Sequence, residues 1–200
     1  MAALSSIITE CRNELIDTGG SPRWTDAEFI EWTNAFFREL AKLAPTEVTA
    51  RVTLTLAQGA YQTLPDQYED LVELTSNAAG ESIREVDYQS LKASLTWANT
   101  IADADGPKEF ARISGSEYAV YPAIDAGGAS VTAVVIDPPS VSGTGDTVPV
   151  TDGLLPALVH YMIYRARSKD AEDTIMLSRS QDAYQKFRQL IGGTGGSEAA

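Results

Sequence analysis

Residues 154–191 read LLPALVHYMIYRARSKDAEDTIMLSRSQDAYQKFRQLI, and their apolar pattern organises the whole chain. One apolar set recurs at i, i+3, i+4, i+7 and i+11, which places its members on a single helix face. A second set lies on a neighbouring face. The first set is Leu155, Leu158, Val159, Met162 and Ala166, and the second is Leu154, Ala157, Tyr161 and Tyr164. The helix is therefore apolar around most of its circumference and needs cover on two sides.

The need for cover on two sides favours an interface between copies of the chain. One side of the helix can face the protein's own core, and the other is expected to face a neighbouring subunit. We assign Leu154, Tyr161 and Tyr164 to this predicted interface. Beyond them the chain either bends at residues 168–170 or continues as one helix, and the sequence leaves both open. A further apolar stripe leads to residues 192–193, a Gly-Gly pair that is predicted to end the helix.

Two helices are predicted near the start of the chain. The apolar residues of the first recur at helical spacing and are predicted to stop at Gly19-Gly20. The second begins with a capping box, in which Thr25 is the N-cap and Glu28 follows three residues later. An aromatic stripe continues from there to Pro45, which is predicted to end this helix. The stripe is read as core packing.

From residue 47 the apolar period changes from that of a helix to that of a strand. Val52, Leu54 and Leu56 alternate with polar residues, and a turn at residues 58–59 is predicted to join them to the next strand as a hairpin. A short helix anchored by Trp97 is predicted near residues 88–98. Its shared face is Tyr88, Leu91, Leu95 and Ala98, and further strands are predicted at 71–76, 82–86, 110–113, 118–121 and 131–136.

These segments predict an α+β fold, in which a bundle of N-terminal and C-terminal helices flanks a β-rich middle region, a sheet or small sandwich. The predicted parts are N-terminal helices at 1–46, the β-rich region at 47–151, C-terminal helices at 152–191 and a flexible tail at 192–200. The end of the β-rich region, residues 137–152, holds three prolines and two glycines. A connection of that length is expected to be functional or mobile.

Composition excludes several functional classes. The chain carries 15 basic and 28 acidic residues, a formal charge of -13, which argues against a surface that grips phosphates. Apolar runs stay short of the roughly 20 residues that span a bilayer, and the N-terminal residues lack the basic region of a secretion signal. The single cysteine, Cys11, cannot form an intramolecular disulfide and is read as a buried small hydrophobe.

Candidate catalytic and ligand motifs were weighed against simpler interpretations. Asp103 and Asp105 lie in a stretch that lacks the closing Glu of a calcium loop, so a turn is favoured. Glycine-rich residues 143–145 lack the Lys-Ser/Thr of a phosphate-binding loop. His160 is the only histidine, and packing or an interface contact is favoured over a catalytic or metal-binding role. We therefore predict no catalytic residue, no metal and no cofactor. The neighbouring acids are read as solvent-facing; they are Asp103/Asp105, Glu69/Asp70 and Glu172/Asp173.

Several stretches together resemble the head-to-tail adaptor, or connector, proteins of short-tailed bacteriophages. They occur in the expected order over nearly the whole chain. They are TDAEFIEWTNAFFREL at 25–40, YQTLPDQYEDLVEL at 61–74, Tyr121-Pro122 closing a strand, and LLPALVHYMIYRARSKDAED at 154–173 followed by AYQKF at 183–187. Ala123 departs from the pattern, because a second proline is expected after Pro122.

The resemblance implies a structural virion protein rather than an enzyme. About twelve copies would form a ring beneath the portal protein, with two different faces of each subunit in contact. The ring would extend the DNA channel, let genome DNA pass without sequence-specific binding, and attach a tail or nozzle protein. Docking to the portal is assigned to Gly192, Gly193, Thr194, Gly195, Gly196, Ser197 and Glu198. The protein would act at the head–tail junction of the virion after assembly in the host cytoplasm, without a membrane.

Two other hypotheses remain at this point. The chain could be another phage tail or capsid accessory protein that presents its β-rich region to a neighbour or to the host. It could also be an acidic hydrolase that uses unidentified carboxylates, although no residue pattern anchors that activity.

Overall fold

A computed structural model describes residues 2–93, 96–101, 105–169 and 174–194, and the chain divides into two compact units. The helical unit is Met1–Val48 with Pro139–Ala200, and the β unit, Thr49–Pro138, is inserted between its two segments. The α+β prediction, with terminal helices and a β-rich middle, is confirmed. One boundary differs, because residues 139–151 belong with the helices and not with the β region.

The elements are named in chain order. The helices are α1 (Leu4–Leu15), α2 (Asp26–Leu43), α3 (Tyr88–Lys92), α4 (Leu155–Lys169) and α5 (Thr174–Thr194). The strands are β1 (Thr49–Leu56), β2 (Gly59–Thr63), β3 (Asp70–Ser76), β4 (Arg84–Glu85), β5 (Glu109–Arg112), β6 (Glu117–Ile124) and β7 (Ala129–Ile136). Short 3-10 turns lie at Pro45–Val48, Trp97–Asn99 and Asp152–Leu154.

The two N-terminal helices differ in how well their ends were predicted. The capping box of α2 is confirmed: the Thr25 N–H donates to Glu28 Oε2 at 2.8 Å, and Thr25 Oγ1 accepts from the Glu28 N–H at 3.3 Å. Helix α1 ends before the predicted Gly19-Gly20. Ile16 closes it in the left-handed conformation, φ 58°, and the Asp17 N–H donates to the Arg12 carbonyl at 2.8 Å.

Helices α4 and α5 form an antiparallel pair, which decides between the bent and the continuous helix. Residues of α4 and α5 meet in reverse order: the ring of Tyr161 lies 5.0 Å from that of Phe187, and the ring of Tyr164 lies 4.8 Å from that of Tyr184. The Ser168 and Ser180 hydroxyls are also hydrogen-bonded. The stretch is therefore two helices that run in opposite directions, and residues 170–173 between them lie outside the described part.

The connection after β7 is held against the helical unit by side chains. The Asn34 amide donates to the Val141 carbonyl and accepts from the Val141 N–H, both at 2.9 Å. The Asp146 carboxylate accepts from the N–H groups of Ser142 and Gly143 at 2.7 and 2.9 Å, and these bonds lower its pKa. The backbone N–H groups of the glycine-rich loop therefore donate to a carboxylate of the same loop, Asp146.

The β unit contains two sheets that share one core. One sheet has the order β1-β7-β3 and the other β2-β6-β5-β4. Leucines and valines of the first sheet pack with Phe110, Tyr118 and Val120 of the second. The opposite face of the second sheet carries small residues, including Ala111 and Ala119, and packs against Trp97. The open alternative of a sheet or a sandwich is resolved as a small sandwich.

The predicted hairpin of β1 with β2 is wrong. Strand β1 pairs with β7, from Thr49 opposite Ile136 to Leu56 opposite Ala129, and β2 pairs with β6 in the other sheet. The chain therefore passes between the two sheets twice, from β1 to β2 and from β6 to β7. These two crossings lie side by side, because β1 pairs with β7 and β2 pairs with β6. Gly59 and Gly128, with φ of 109° and 74°, lie at these crossings.

The remaining strand predictions match β3 to β7, with β4 shorter than expected. Tyr121-Pro122 is a cis peptide that lies within β6 and does not close that strand. The short helix is present as α3 but ends at Lys92, and Ala98 lies in the separate 3-10 turn Trp97–Asn99. Trp97 is buried. Leu95, assigned to the same face, lies outside the described residues.

At the other end of the chain, α5 continues through Gly192 and Gly193 to Thr194, so the predicted stop at the Gly-Gly pair is wrong. Residues 195–200 of the predicted tail lie outside the described part. Over the described residues, each helix is too short or too polar to cross a bilayer.

Candidate functional surfaces

The residues assigned to a subunit interface lie largely inside the helical unit. Leu154 and Tyr161 are only 1% and 5% exposed. Tyr161 packs against Phe36 of α2 and Phe187 of α5, and Met162 on the other face lies against Cys11 of α1, so the chain itself covers both apolar faces of α4. The need for cover therefore no longer supports an interface at these residues. Tyr164 is half-buried, and the interface role of all three residues stays a prediction.

The predicted portal-docking segment falls at the end of α5. Gly192, Gly193 and Thr194 form the last residues of that helix, and Gly192 is exposed. Gly195, Gly196, Ser197 and Glu198 lie outside the described residues. The docking role of the segment stays a prediction.

The single cysteine and the single histidine are both packed side chains. Cys11 is fully buried with its Sγ 3.4 Å from Met162 Sδ, and burial raises its pKa to about 12. His160 is half-buried beside Glu14, Asp182 and Lys186. Its burial, and secondarily the charge of Lys186, lower the pKa of the imidazole. Both placements agree with the packing roles read from the sequence.

The acidic candidates do not assemble into a metal centre. Within the described ranges, no group of His, Cys, Asp and Glu side chains is placed to hold a metal ion. Asp105 belongs to these ranges, whereas Asp103, Glu172 and Asp173 lie outside them.

A cavity of about 230 Å³ opens in the helical unit where α1 ends. The end of α1, the loop before α2 and the facing parts of α4 and α5 form its walls. They contribute Glu14, Leu15, Ile16, Arg23, Trp24, Arg167, Met176 and Arg179. Three arginines against one glutamate give this cavity a positive balance in a chain of net charge -13.

Arg12 fixes the loop that carries Trp24. Its guanidinium donates to Asp17 Oδ2, the Trp24 carbonyl and Asp26 Oδ1 at 2.8, 2.9 and 2.8 Å. The same group lies 5.1 Å from the Phe29 ring centre. Because one fork of donors links α1, the loop and the first turn of α2, the wall of the cavity is rigidly placed.

Sequence reasoning did not single out the arginines and Ile16 of this cavity. They are scattered between residues 16 and 179, and helical periodicity describes the buried face of each helix and not the groove between helices. One signal was available. Arg23-Trp24 and the run Ile175-Met176-Leu177 put large apolar side chains next to positive charge in polar surroundings, and Ile175, Met176 and Leu177 are 60%, 38% and 49% exposed.

The chain belongs to the SU10 adaptor protein family, whose family model matches residues 2–199. It is therefore a bacteriophage adaptor protein and a virion component, and the resemblance read from the sequence is confirmed. A comparison with curated proteins found no match.

Proposed function

We propose that the protein is the head-to-tail adaptor of its phage. About twelve copies form a ring beneath the portal, extend the DNA channel and provide the attachment site for a tail or nozzle protein. The observation that carries this proposal is the family match, which covers the chain from residue 2 to residue 199. Within the virion the protein lies at the head–tail junction, and it acts without catalysis.

The charge distribution supports a role beside DNA that slides. The β unit holds thirteen acidic and five basic residues, a net charge of -8 in residues 49–138. Such a surface repels phosphates and binds DNA weakly, so it would offer little friction to a moving genome.

The test is electron microscopy of the protein mixed with purified portal. We expect a coaxial ring on one end of the portal, with the symmetry of the portal. A protein that binds elsewhere on the particle, or that forms no ring on the portal, would contradict the proposal and support the alternative of another tail or capsid accessory protein.

The C-terminal segment from Gly192 to Glu198 is proposed to dock on the portal. A chain that ends at Ile191 should therefore attach poorly to portal-containing heads, measured by co-sedimentation. A chain that ends at Thr194 is the matched control, because it keeps all of α5 and separates helix truncation from loss of the following residues. Attachment of the Ile191 chain at the full-length level would exclude this role.

A further inference from the structure

Trp24 lines the cavity at the end of α1 and is only 6% exposed. Its Nε1 is enclosed by protein atoms and has no acceptor among the described residues. A buried donor of this kind costs about 1–3 kcal/mol unless a partner is supplied. The indole therefore makes this wall of the cavity less stable than a fully hydrogen-bonded one.

Arginine side chains line the same cavity. Arg167 donates to the Arg179 carbonyl at 3.4 Å, which holds its guanidinium at the wall formed by α5. The guanidinium of Arg179 forms no ion pair with any residue of the described ranges. The Arg23 guanidinium lies 5.6 Å from the centre of the Trp24 ring. Arginine forks of this kind match the two oxygens of a carboxylate.

The rim of the cavity carries exposed apolar side chains, and the backbone of one of these residues is strained. Ile16 is 89% exposed and has φ 58°, a region where a β-branched side chain is strained. Glycine or asparagine would close α1 at this position with less strain. Met176 faces the same cavity and is 38% exposed. The conformation of Ile16 thus lowers the stability of the fold. Its exposed side chain lies at the same cavity as Met176, a second exposed apolar residue.

We propose that this cavity binds an acidic segment of a partner protein. The volume of about 230 Å³ suits one apolar side chain, seated between Ile16 and Met176, with a neighbouring carboxylate on Arg167 and Arg179. The proposal concerns the isolated subunit, so it stands or fails independently of ring formation on the portal.

Charge and shape favour a peptide over nucleic acid. The net charge of -13 opposes a phosphate backbone, which carries a charge at every nucleotide, more strongly than a short segment that places one carboxylate on the arginines. The apolar rim forms no favourable contact with a phosphate, whereas a leucine or isoleucine side chain can pack against it.

The test uses a short fluorescein-labelled peptide in which leucine and glutamate alternate, with fluorescence anisotropy as the readout. We expect it to bind the full-length protein at least about tenfold more tightly than a serine–glutamate or a leucine–lysine peptide, because both the carboxylate and the apolar side chain are used. Binding should weaken as salt rises. Equal affinity for all three peptides, or none, overturns the proposal.

Two variants connect binding to this cavity. Arg179→Glu should weaken peptide binding about tenfold or more, whereas Arg188→Glu, an exposed arginine further along the same helix, should leave it unchanged. Ile16→Asn should leave the fold intact with an equal or higher Tm and weaken binding about fivefold, because the apolar contact is lost. A folded Ile16→Asn protein with unchanged affinity would overturn the proposal.

A direct readout comes from the Trp24 indole N–H in a nitrogen–proton correlation spectrum, assigned with Trp24→Phe. This resonance should shift on peptide addition, while those of Trp32 and Trp97 stay in place. Tight binding of a short DNA duplex that is lost in Arg179→Glu would assign the cavity to nucleic acid instead. Self-association that Arg179→Glu abolishes would assign it to a second copy of the chain, and either result overturns the peptide proposal.

Discussion

Ile16 closes helix α1 in a conformation that L-residues with a branched Cβ rarely adopt. Its φ of 58° costs roughly 1–2 kcal/mol, and its side chain, 89% exposed, recovers little of that by burial. Replacing it with glycine should therefore raise the free energy of unfolding by about 1 kcal/mol, measured by urea denaturation. Leu15→Gly, one residue earlier in regular helix, is the matched control and should lower stability instead.

Cys11 shows how burial controls chemistry at a single residue. Its pKa of about 12 leaves almost no thiolate near neutral pH, so a thiol reagent should not modify the folded protein and should react once urea unfolds it. Because the folded pKa is raised above the ordinary 9.0, this thiol favours the folded state below pH 9 and that contribution is lost as the pH rises towards 12. Rapid reaction in the native state would contradict this burial.

At the scale of elements, Arg12 links three segments that the sequence treats separately. The side chain is 16% exposed and Asp17 is 8% exposed, so the ion pair is largely shielded from water. Arg12→Ala should lower the free energy of unfolding by about 3 kcal/mol, because it leaves the shielded Asp17 carboxylate without its charged partner and with only the Arg23 N–H as a donor among the described residues. Arg12→Lys keeps the charge but loses the fork of donors, and it should recover only part of the stability. A loss within 0.5 kcal/mol for Arg12→Ala would contradict the role of this network.

Asn34 has a comparable role for the connection after β7. It reproduces both hydrogen bonds of a β bridge with Val141 at 2.9 Å. Asn34→Ala should speed hydrogen exchange at the Val141 amide by about tenfold, while exchange in the middle of α2 changes little. Asn34→Asp is the control that keeps the acceptor for the Val141 N–H and removes the donor. Unchanged exchange in Asn34→Ala would show that other contacts hold the connection.

Local sequence patterns predicted the positions of helices and strands well, but they predicted poorly which of these elements pair with one another. The capping box of Thr25 and Glu28 was readable because both of its hydrogen bonds are made within four residues. The alternation in β1 identified a strand but not its neighbour, since Thr49 pairs with Ile136 across most of the β unit. The turn before Gly59 connects strands of two different sheets. The residues typical of such a turn are also typical of a hairpin turn, so the sequence does not distinguish the two. The cavity at Trp24 is formed by four segments that are distant in sequence, so the periodicity of any one segment does not predict it.

At the scale of the whole molecule, net charge should control assembly. Each subunit carries -13, so copies brought together in a ring repel one another at low salt. Raising the ionic strength to about 0.15 M shortens the screening length to about 8 Å and should increase the oligomer fraction, measured by mass photometry. Peptide binding at the cavity should show the opposite dependence on salt. Oligomers that dissociate as salt is added would contradict the repulsion argument.

The insertion of the β unit between two segments of the helical unit has a consequence for biosynthesis. Helices α1 and α2 leave the ribosome first, but their packing partner α4 begins only at Leu155. The sandwich also waits, because β1 needs β7 and therefore residue 136. The nascent chain thus exposes the apolar faces of α1 and α2 throughout synthesis of the sandwich, until α4 and then α5, whose Phe187 packs against Phe36, have been made. Chaperone demand should be greatest in that interval and should end soon after α5 emerges.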